Sequence, residues 1–244
     1  MPRCFLPTLS FAFLISLISC STKNPQHIID KAIEASGGEK YLRATIEFDF
    51  RDRHYVAQRE GGKFSYQRIL KDSTTTTHDF LTNDGFKREI NNVIVDVADT
   101  MKTKYTASVN SVIYFALLPY GLNDAAVKKK LMGQTSMEDK DYYIIEVRFA
   151  QEGGGQGHED VFLYWINKQD FTIGYLAYSF EEGKGIEYRF RKAYNPRTIN
   201  GILFLDYINY KPKSERQITA LEEIFKKGEL EELSKIELIN IQVK

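Results

Sequence analysis

The chain has 244 residues, and its 33 basic and 33 acidic side chains give a formal net charge of zero at pH 7. This balance argues against nucleic acid as a partner, because phosphate binding needs a surplus or a concentrated patch of positive charge. The length is sufficient for one domain with a substantial core. The only cysteines, Cys4 and Cys20, lie near the N-terminus, so we expect no structural disulfide in a mature domain that begins at Cys20.

The first element is an apolar segment that follows Arg3 and ends at Cys20. It is shorter than the roughly 20 residues of a membrane-spanning helix and has the charge pattern of a signal peptide. Its last four residues, Leu-Ile-Ser-Cys at 17–20, resemble the bacterial lipobox, in which the cysteine is diacylated and becomes the new N-terminus. The resemblance implies a signal peptide at residues 1–19 and a membrane anchor through a diacylglyceryl group on Cys20. By resemblance to enterobacterial lipoproteins, an Asp after the lipidated cysteine would favour inner-membrane retention. Ser21 occupies this position here, so we expect an outer-membrane lipoprotein that faces the periplasm.

A short tether and an opening helix are predicted next. The polar residues 20–25 form the lipidated tether, and residues 26–244 contain no linker, so they are predicted to form one domain. Apolar residues recur at helical spacing over 27–36. Gly37 and Gly38 follow in the position where glycine commonly ends a helix, so we expect the helix to end there.

Five strands and a second helix are predicted in the following part of the chain. Apolar and charged residues alternate over 46–51, which predicts the first strand. Two hairpins follow, with turns at residues 61–62 and 83–85 that contain glycine and asparagine. Over residues 105–118 the apolar residues recur at helical spacing, and Pro119 follows, so a helix is predicted there.

The remaining chain is predicted to consist mostly of strands. A strand over 127–132 precedes a meander of five aromatic-rich strands within residues 141–211. Both faces are apolar in the strand over 161–166, so we expect it to be covered on both sides. A short helix over 218–225 and a last strand over 234–243 complete the predicted elements. The chain is therefore predicted to be mainly β (α+β), with about ten or eleven antiparallel strands and two or three helices.

Two segments and the order of the elements resemble a known superfamily. The segments are Ala-Ser-Gly-Gly at residues 35–38 and Val-Phe-Leu-Tyr-Trp-Ile-Asn at residues 161–167. They resemble the LolA/LolB-like outer-membrane lipoprotein carriers and related Gram-negative envelope lipoproteins. The resemblance implies an open antiparallel half-barrel wrapped over its helices, with a hydrophobic cavity between them. The predicted anchor makes the chain more similar to the membrane-bound receptor than to the soluble carrier.

No catalytic or metal site and no cofactor is predicted. No pair of histidines or cysteines has the spacing of a zinc site, and the segment at residues 158–160, His-Glu-Asp, is interpreted as part of a flexible hairpin loop. The glycines before it lack the Lys-Ser/Thr of a phosphate-binding loop, and no Gly-x-Ser-x-Gly motif occurs. The histidines, interpreted as surface or turn residues, are His27, His54, His78 and His158.

Aromatic side chains of the predicted meander are the candidates for a ligand site. They would either line a cavity or fill an ordinary core, since a small barrel can be filled by its own side chains. The candidates are Tyr143, Phe149, Trp165, Tyr175, Tyr188, Phe190 and Phe204.

Three functions remain open from the sequence. The first is a binding module, a lipid-anchored envelope protein that is not an enzyme and holds a lipid, an acyl chain or another hydrophobic ligand in its half-barrel. The second is a structural or interaction lipoprotein without a ligand, and the third is an unidentified hydrolase. The first of these is the prediction that the resemblance favours.

Overall fold

The structure is a computed structural model that describes most of the chain. The described residues are 24–152, 159–183, 185–214 and 217–244. The predicted signal peptide, Cys20 and His158 lie outside them. Within the described part, no helix is long and apolar enough to cross a membrane.

Three α-helices occur in the described residues: α1 (Pro25–Ser36), α2 (Asp99–Ala116) and α3 (Leu221–Lys226). The first begins two residues before the predicted start, because Asn24 caps it by accepting a hydrogen bond from the N–H of Gln26 at 2.9 Å. Proline is favoured in this first turn, where its missing N–H costs nothing.

Fourteen strands of the described chain form two seven-stranded antiparallel sheets. The first sheet contains β1 (Thr45–Phe50), β2 (Arg53–Glu60), β3 (Lys63–Lys71), β4 (Thr76–Thr82), β5 (Gly85–Ile90), β6 (Val93–Val95) and β14 (Ile239–Val243). The second sheet contains β7 (Val127–Met137), β8 (Lys140–Phe149), β9 (Val161–Asn167), β10 (Ile173–Glu182), β11 (Gly185–Ile199), β12 (Ile202–Pro212) and β13 (Leu230–Ile236). Strands that are consecutive in the chain are also neighbours in a sheet, except that β6 and β7 lie in different sheets and that β14 pairs with β1 instead of β13.

The architecture is the mainly β, open arrangement that was predicted, but the predicted number of strands was too low. Neither sheet closes into a barrel within the described residues. The segment predicted as one last strand, residues 234–243, is divided between β13 and β14, which lie in different sheets. The three-residue strand β6 was not predicted, because so short a segment shows no clear alternation.

Three clusters of buried side chains form the core. The first core cluster lies between α2 and the first sheet, and the second lies between α1 and the inner face of the second sheet. The third core cluster covers the opposite, outer face of the second sheet beneath α3. Representative members are Phe48, Tyr55 and Ile113 in the first, Ile29, Ile145 and Tyr164 in the second, and Trp165, Phe190 and Leu221 in the third.

Strand β9 is covered on both sides, as predicted. Phe162, Tyr164 and Ile166 belong to the second core cluster, and the alternate residues Leu163 and Trp165 belong to the third. All three clusters are built from residues after Asn24, so a chain of residues 24–244 contains the complete described core.

A buried ion-pair network holds α2 on the first sheet. Asp79, on β4, accepts hydrogen bonds from Arg68 at 2.6 and 3.0 Å and from Arg88 at 2.6 and 3.0 Å. Arg68 also donates to the hydroxyl of Ser108 on α2 at 2.7 Å, and the Arg88 guanidinium lies 3.7 Å from the ring centre of Tyr105 on the same helix. Because these contacts fix one side of α2, its other side is available to form the wall of a cavity.

Candidate functional site

A cavity of about 900 Å³ lies between α2 and the inner faces of the two sheets. This volume is near the upper end of the roughly 300–1,000 Å³ range of small-molecule sites. Its wall is mostly apolar and combines residues of α2, such as Val112, with Phe50 and Leu81 of the first sheet and Phe162 and Leu205 of the second. Both sheets and the helix therefore contribute to one cavity.

The cavity reaches solvent beside α2. Thr103, Asn110 and Ser111 belong to its lining and are exposed residues of this helix. Apolar lining residues such as Phe64 and Phe180 are only half-buried. Contiguous apolar surface that remains accessible to solvent is a feature of binding sites rather than of a filled core.

Aromatic rings form the wall on the side of the second sheet. The Phe162 ring centre lies 5.6 Å from that of Phe149 and 5.8 Å from that of Tyr178. From α2, Phe115 approaches Tyr178 to 5.1 Å, and Tyr114 approaches Phe162 to 6.1 Å. Such ring pairs hold their partners in fixed orientations, so the wall is built before any ligand arrives.

Polar groups interrupt this wall at one level of the second sheet. Arg191 of β11 lies directly opposite Asn209 of β12, which lies opposite Ser234 of β13, and all three line the cavity. The Arg191 guanidinium lies 4.2 Å from the ring centre of Phe115, and its Nη2 donates to the Tyr178 hydroxyl at 2.7 Å. Its Nε and the Oδ1 of Asn209 are buried without a hydrogen-bond partner. We call Arg191, Asn209 and Ser234 the polar row.

Buried phenols near the polar row remain neutral. The hydroxyls of Tyr114 and Tyr164 lie 2.8 Å apart, and burial raises the pKa of both. Burial also raises the pKa of Tyr207, which lines the cavity, although the charge of Arg191 acts in the opposite direction. Tyr114 and Tyr207, which line the cavity, therefore supply hydroxyl groups to the site without adding negative charge.

Three of the aromatic candidates lie in or beside the inner core. Phe149 lines the cavity. Tyr143 packs against the second core cluster, and Phe204 belongs to the first core cluster, and neither is part of the cavity lining.

The other four candidates lie on the outer face of the second sheet. Trp165, Tyr175 and Phe190 belong to the third core cluster, and Tyr188 packs against it. The strands that carry them are apolar or covered on both faces, so the sequence pattern could not tell which face is turned towards the cavity. The cavity side carries Phe162 and other residues that the sequence analysis did not select.

Several lining residues had no distinguishing signal in the sequence. Tyr178 and Phe180 have the same alternating pattern as their neighbours on β10. Arg191 alternates with apolar residues on β11, which is typical of a solvent-facing charge, although the structure buries it. A charged residue within an otherwise aromatic sheet wall is visible only after the sheets are assembled.

The histidines within the described residues do not gather into a site. His54 lies 2.7 Å from a carboxylate oxygen of Asp49, and His78 forms a hydrogen bond with Gln67 at 2.9 Å. No group of three or more metal-binding side chains occurs among the residues that the structure describes.

Comparison with known proteins places the chain in a family and gives its structural neighbours. A profile of DUF6503, described as a family of unknown function, matches residues 8–238. No curated protein sequence matches the chain. Similar solved structures include a DUF1329 family protein from Desulfovibrio piger, which has 11% identity, a TM-score of 0.50, and an alignment over 89% of this chain and 92% of that one.

A LolA superfamily protein from Nitrosomonas europaea is also among the similar structures. It has 13% identity and a TM-score of 0.48, and the alignment covers 90% of this chain and 93% of that one. At such identities the likeness concerns the fold alone. Because the family profile spans nearly the whole sequence, the chain belongs to the DUF6503 family.

Proposed function

We propose that this protein is an envelope lipoprotein that binds a lipid or acyl chain in the cavity between α2 and the two sheets. The observation that carries the proposal is the cavity itself, which has about 900 Å³ of mostly apolar, solvent-accessible space. A group the size of a water molecule occupies roughly 30 Å³, so the cavity would hold about thirty such groups. That capacity fits one long acyl chain with its headgroup.

Burial of the chain would supply the binding energy. Each methylene removed from water contributes about 0.8 kcal/mol, so a long acyl chain gains far more than a compact ligand of the same polarity. The aromatic wall is already formed by contacts such as that between Phe115 and Tyr178, which limits the entropy lost on binding.

Native mass spectrometry of residues 24–244 purified from cells tests the proposal. We expect a lipid mass to remain bound to this chain and to be lost in Ala107→Trp, which fills the cavity from α2. The matched control is Ala125→Trp, an exposed alanine outside the lining that should leave the bound mass unchanged. Thermal unfolding of each variant shows that the fold is retained.

Other results would favour the other functions. A chain that is repeatedly empty and that takes up no lipid on incubation with envelope extract would favour a structural or interaction protein. Turnover in an esterase or glycosidase screen would favour a hydrolase.

The membrane location is the second part of the proposal, and the lipobox-like segment at residues 17–20 supports it. We predict that Cys20→Ala removes the protein from the membrane fraction and abolishes incorporation of radiolabelled palmitate, because the acyl chains have no other attachment point. Cys4→Ala is the control and should retain both properties, since this cysteine lies within the predicted signal peptide. Continued labelling of the Cys20→Ala variant would contradict the anchor.

A further inference from the structure

The cavity wall contains a buried cation that has no carboxylate partner. Two arginines are buried in the described part of the chain, Arg68 with 9% and Arg191 with 8% of its surface exposed. Arg68 forms an ion pair with Asp79. Arg191 forms no ion pair with a described carboxylate, and its partners are the Tyr178 hydroxyl and the face of the Phe115 ring. Buried charges are usually paired, because removing them from water is costly.

The second observation is that two unpaired polar atoms lie on one side of the cavity. The Nε of Arg191 and the Oδ1 of Asn209 are buried without a partner, and these residues face each other across β11 and β12. Native structures leave few such atoms unsatisfied. A half-turn of the Asn209 amide exchanges its oxygen and its NH₂ group, so that the NH₂ can donate into the cavity. The oxygen can then accept from the hydroxyl of Ser234.

The charge distribution of the lining favours an anion at this level. The charged lining residues are Arg51, Arg191 and one carboxylate, Asp160, which has an interaction of its own. Asp160 precedes the residue that pairs with Ser179, whereas Arg191 pairs with Leu176. The carboxylate thus lies about four residues, or roughly 13 Å, further along the strands. In a low-dielectric wall, the nearby cation dominates the local potential.

We propose that the polar row is a headgroup subsite, at which Arg191 and Asn209 bind the anionic group of an amphiphile whose apolar chain occupies the rest of the cavity. This inference rests on the proposed function. The ligand class is a long single-chain lipid that ends in a carboxylate or a phosphate. Either group can accept two parallel hydrogen bonds from the planar guanidinium and also carries the opposite charge. A neutral alcohol or ester lacks that charge.

The test measures binding of three ligands with equal chains to delipidated residues 24–244. The ligands are palmitate, hexadecyl phosphate and hexadecanol, each added below its micelle-forming concentration and followed by displacement of a neutral fluorescent probe. We expect at least one anion to bind about tenfold to a hundredfold more tightly than hexadecanol, which corresponds to one or two charge-assisted hydrogen bonds. The tighter anion identifies the headgroup as a carboxylate or a phosphate.

Variants assign the preference to the polar row. Arg191→Met should lose the preference for anions, so that it binds palmitate and hexadecyl phosphate no more tightly than hexadecanol. Arg191→Lys, which keeps the charge but lacks the planar fork, should retain part of it. The control is Arg148→Met, which removes an exposed arginine of β8. It should change neither the binding of hexadecanol nor the preference for anions.

The outcomes separate this inference from the proposed function. Equal binding of all three ligands by the unaltered protein would overturn the headgroup subsite and leave the lipid-binding proposal in place. A preference for anions that survives in Arg191→Met would also overturn it. If no ligand binds, hexadecanol included, the proposed function itself fails and the inference fails with it. The comparison of ligands on the unaltered protein does not depend on whether a variant folds.

Discussion

Arg68 and Arg191 are buried to nearly the same extent, but their surroundings differ in kind. Arg68 donates hydrogen bonds to Asp79 and Ser108, whereas Arg191 contacts a phenol hydroxyl and an aromatic ring. A buried charge without a counter-ion lowers stability, and functional sites commonly retain such costs. The two arginines should therefore respond in opposite directions to the same substitution.

We predict that Arg191→Met raises the free energy of unfolding of the ligand-free chain by about 1 kcal/mol or more, because it replaces an unpaired buried charge with an apolar side chain. Arg68→Met should lower the free energy of unfolding by about 3 kcal/mol, because Asp79 loses one of its buried partners. Urea unfolding of both variants at pH 7 measures the difference. Equal losses in the two variants would mean that Arg191 has a structural role.

Trp165 provides a second prediction at the level of one residue. Its indole is 1% exposed and donates to a carboxylate oxygen of Glu222 on α3 at 2.9 Å, on the face of the second sheet opposite the cavity. Its emission should be blue-shifted and should stay constant when a lipid is added. The double variant Phe149→Trp and Trp165→Phe places the only indole in the cavity wall and should respond to the lipid. A response of native Trp165 of equal size would show that the outer cluster moves on binding.

At the scale of elements, the periodicity of the apolar residues predicted most strands and all three helices, because burial of one face leaves a period in the sequence. It could not predict which face of β9 meets the cavity, since both faces are apolar. It also could not predict the break between β13 and β14. No glycine or proline marks that break, and contacts with distant residues hold it: Leu238 donates its N–H to Asp206 at 3.0 Å, and its carbonyl accepts from Arg197 at 3.1 Å.

Asp206 therefore joins the two sheets through its carboxylate. Besides Leu238, it accepts hydrogen bonds from Arg197 at 2.8 Å and from Asn195 at 2.7 Å. Burial alone would raise the pKa of Asp206, but the hydrogen bonds from Arg197, Leu238 and Asn195 outweigh burial and lower it. Because the pKa of Asp206 is lower in the folded chain, its carboxylate stabilises the fold fully at pH values above its unfolded pKa of about 3.9. This contribution is lost as the pH falls from there through the lowered pKa of the folded chain.

We predict that Asp206→Asn lowers the free energy of unfolding by about 3–5 kcal/mol at pH 7, because Arg197 is left without its buried counter-ion. The deficit relative to the unaltered chain should begin to shrink as the pH falls below about 4, where Asp206 of the unfolded chain becomes protonated, and should shrink further until the folded carboxylate is protonated at its lowered pKa. Urea unfolding between pH 7 and pH 3 measures this. Asp84→Asn, in an exposed turn, is the control, and a deficit independent of pH would contradict the assignment.

At the scale of the whole molecule, α2 is attached unequally to its two neighbours. The hydrogen bond from Arg68 to Ser108, the contact of Arg88 with the Tyr105 ring and buried residues such as Ile113 attach it to the first sheet. Towards the second sheet it offers mainly aromatic contacts around the cavity, together with the hydrogen bond between Tyr114 and Tyr164. A ligand in this space would contact α2 and both sheets at once. It would thus bind the assembled fold and have no equivalent site on the unfolded chain.

Ligand binding should therefore stabilise the whole fold by mass action. We predict that a bound lipid present at 100 times its Kd raises the free energy of unfolding of residues 24–244 by about 2.7 kcal/mol. Urea unfolding with and without the lipid measures this, provided that the lipid stays below its micelle-forming concentration. Ala107→Trp should show no such increase, because its indole occupies the space that the lipid needs, and Ala125→Trp should respond like the unaltered chain. An equal increase in Ala107→Trp would place the lipid elsewhere on the protein.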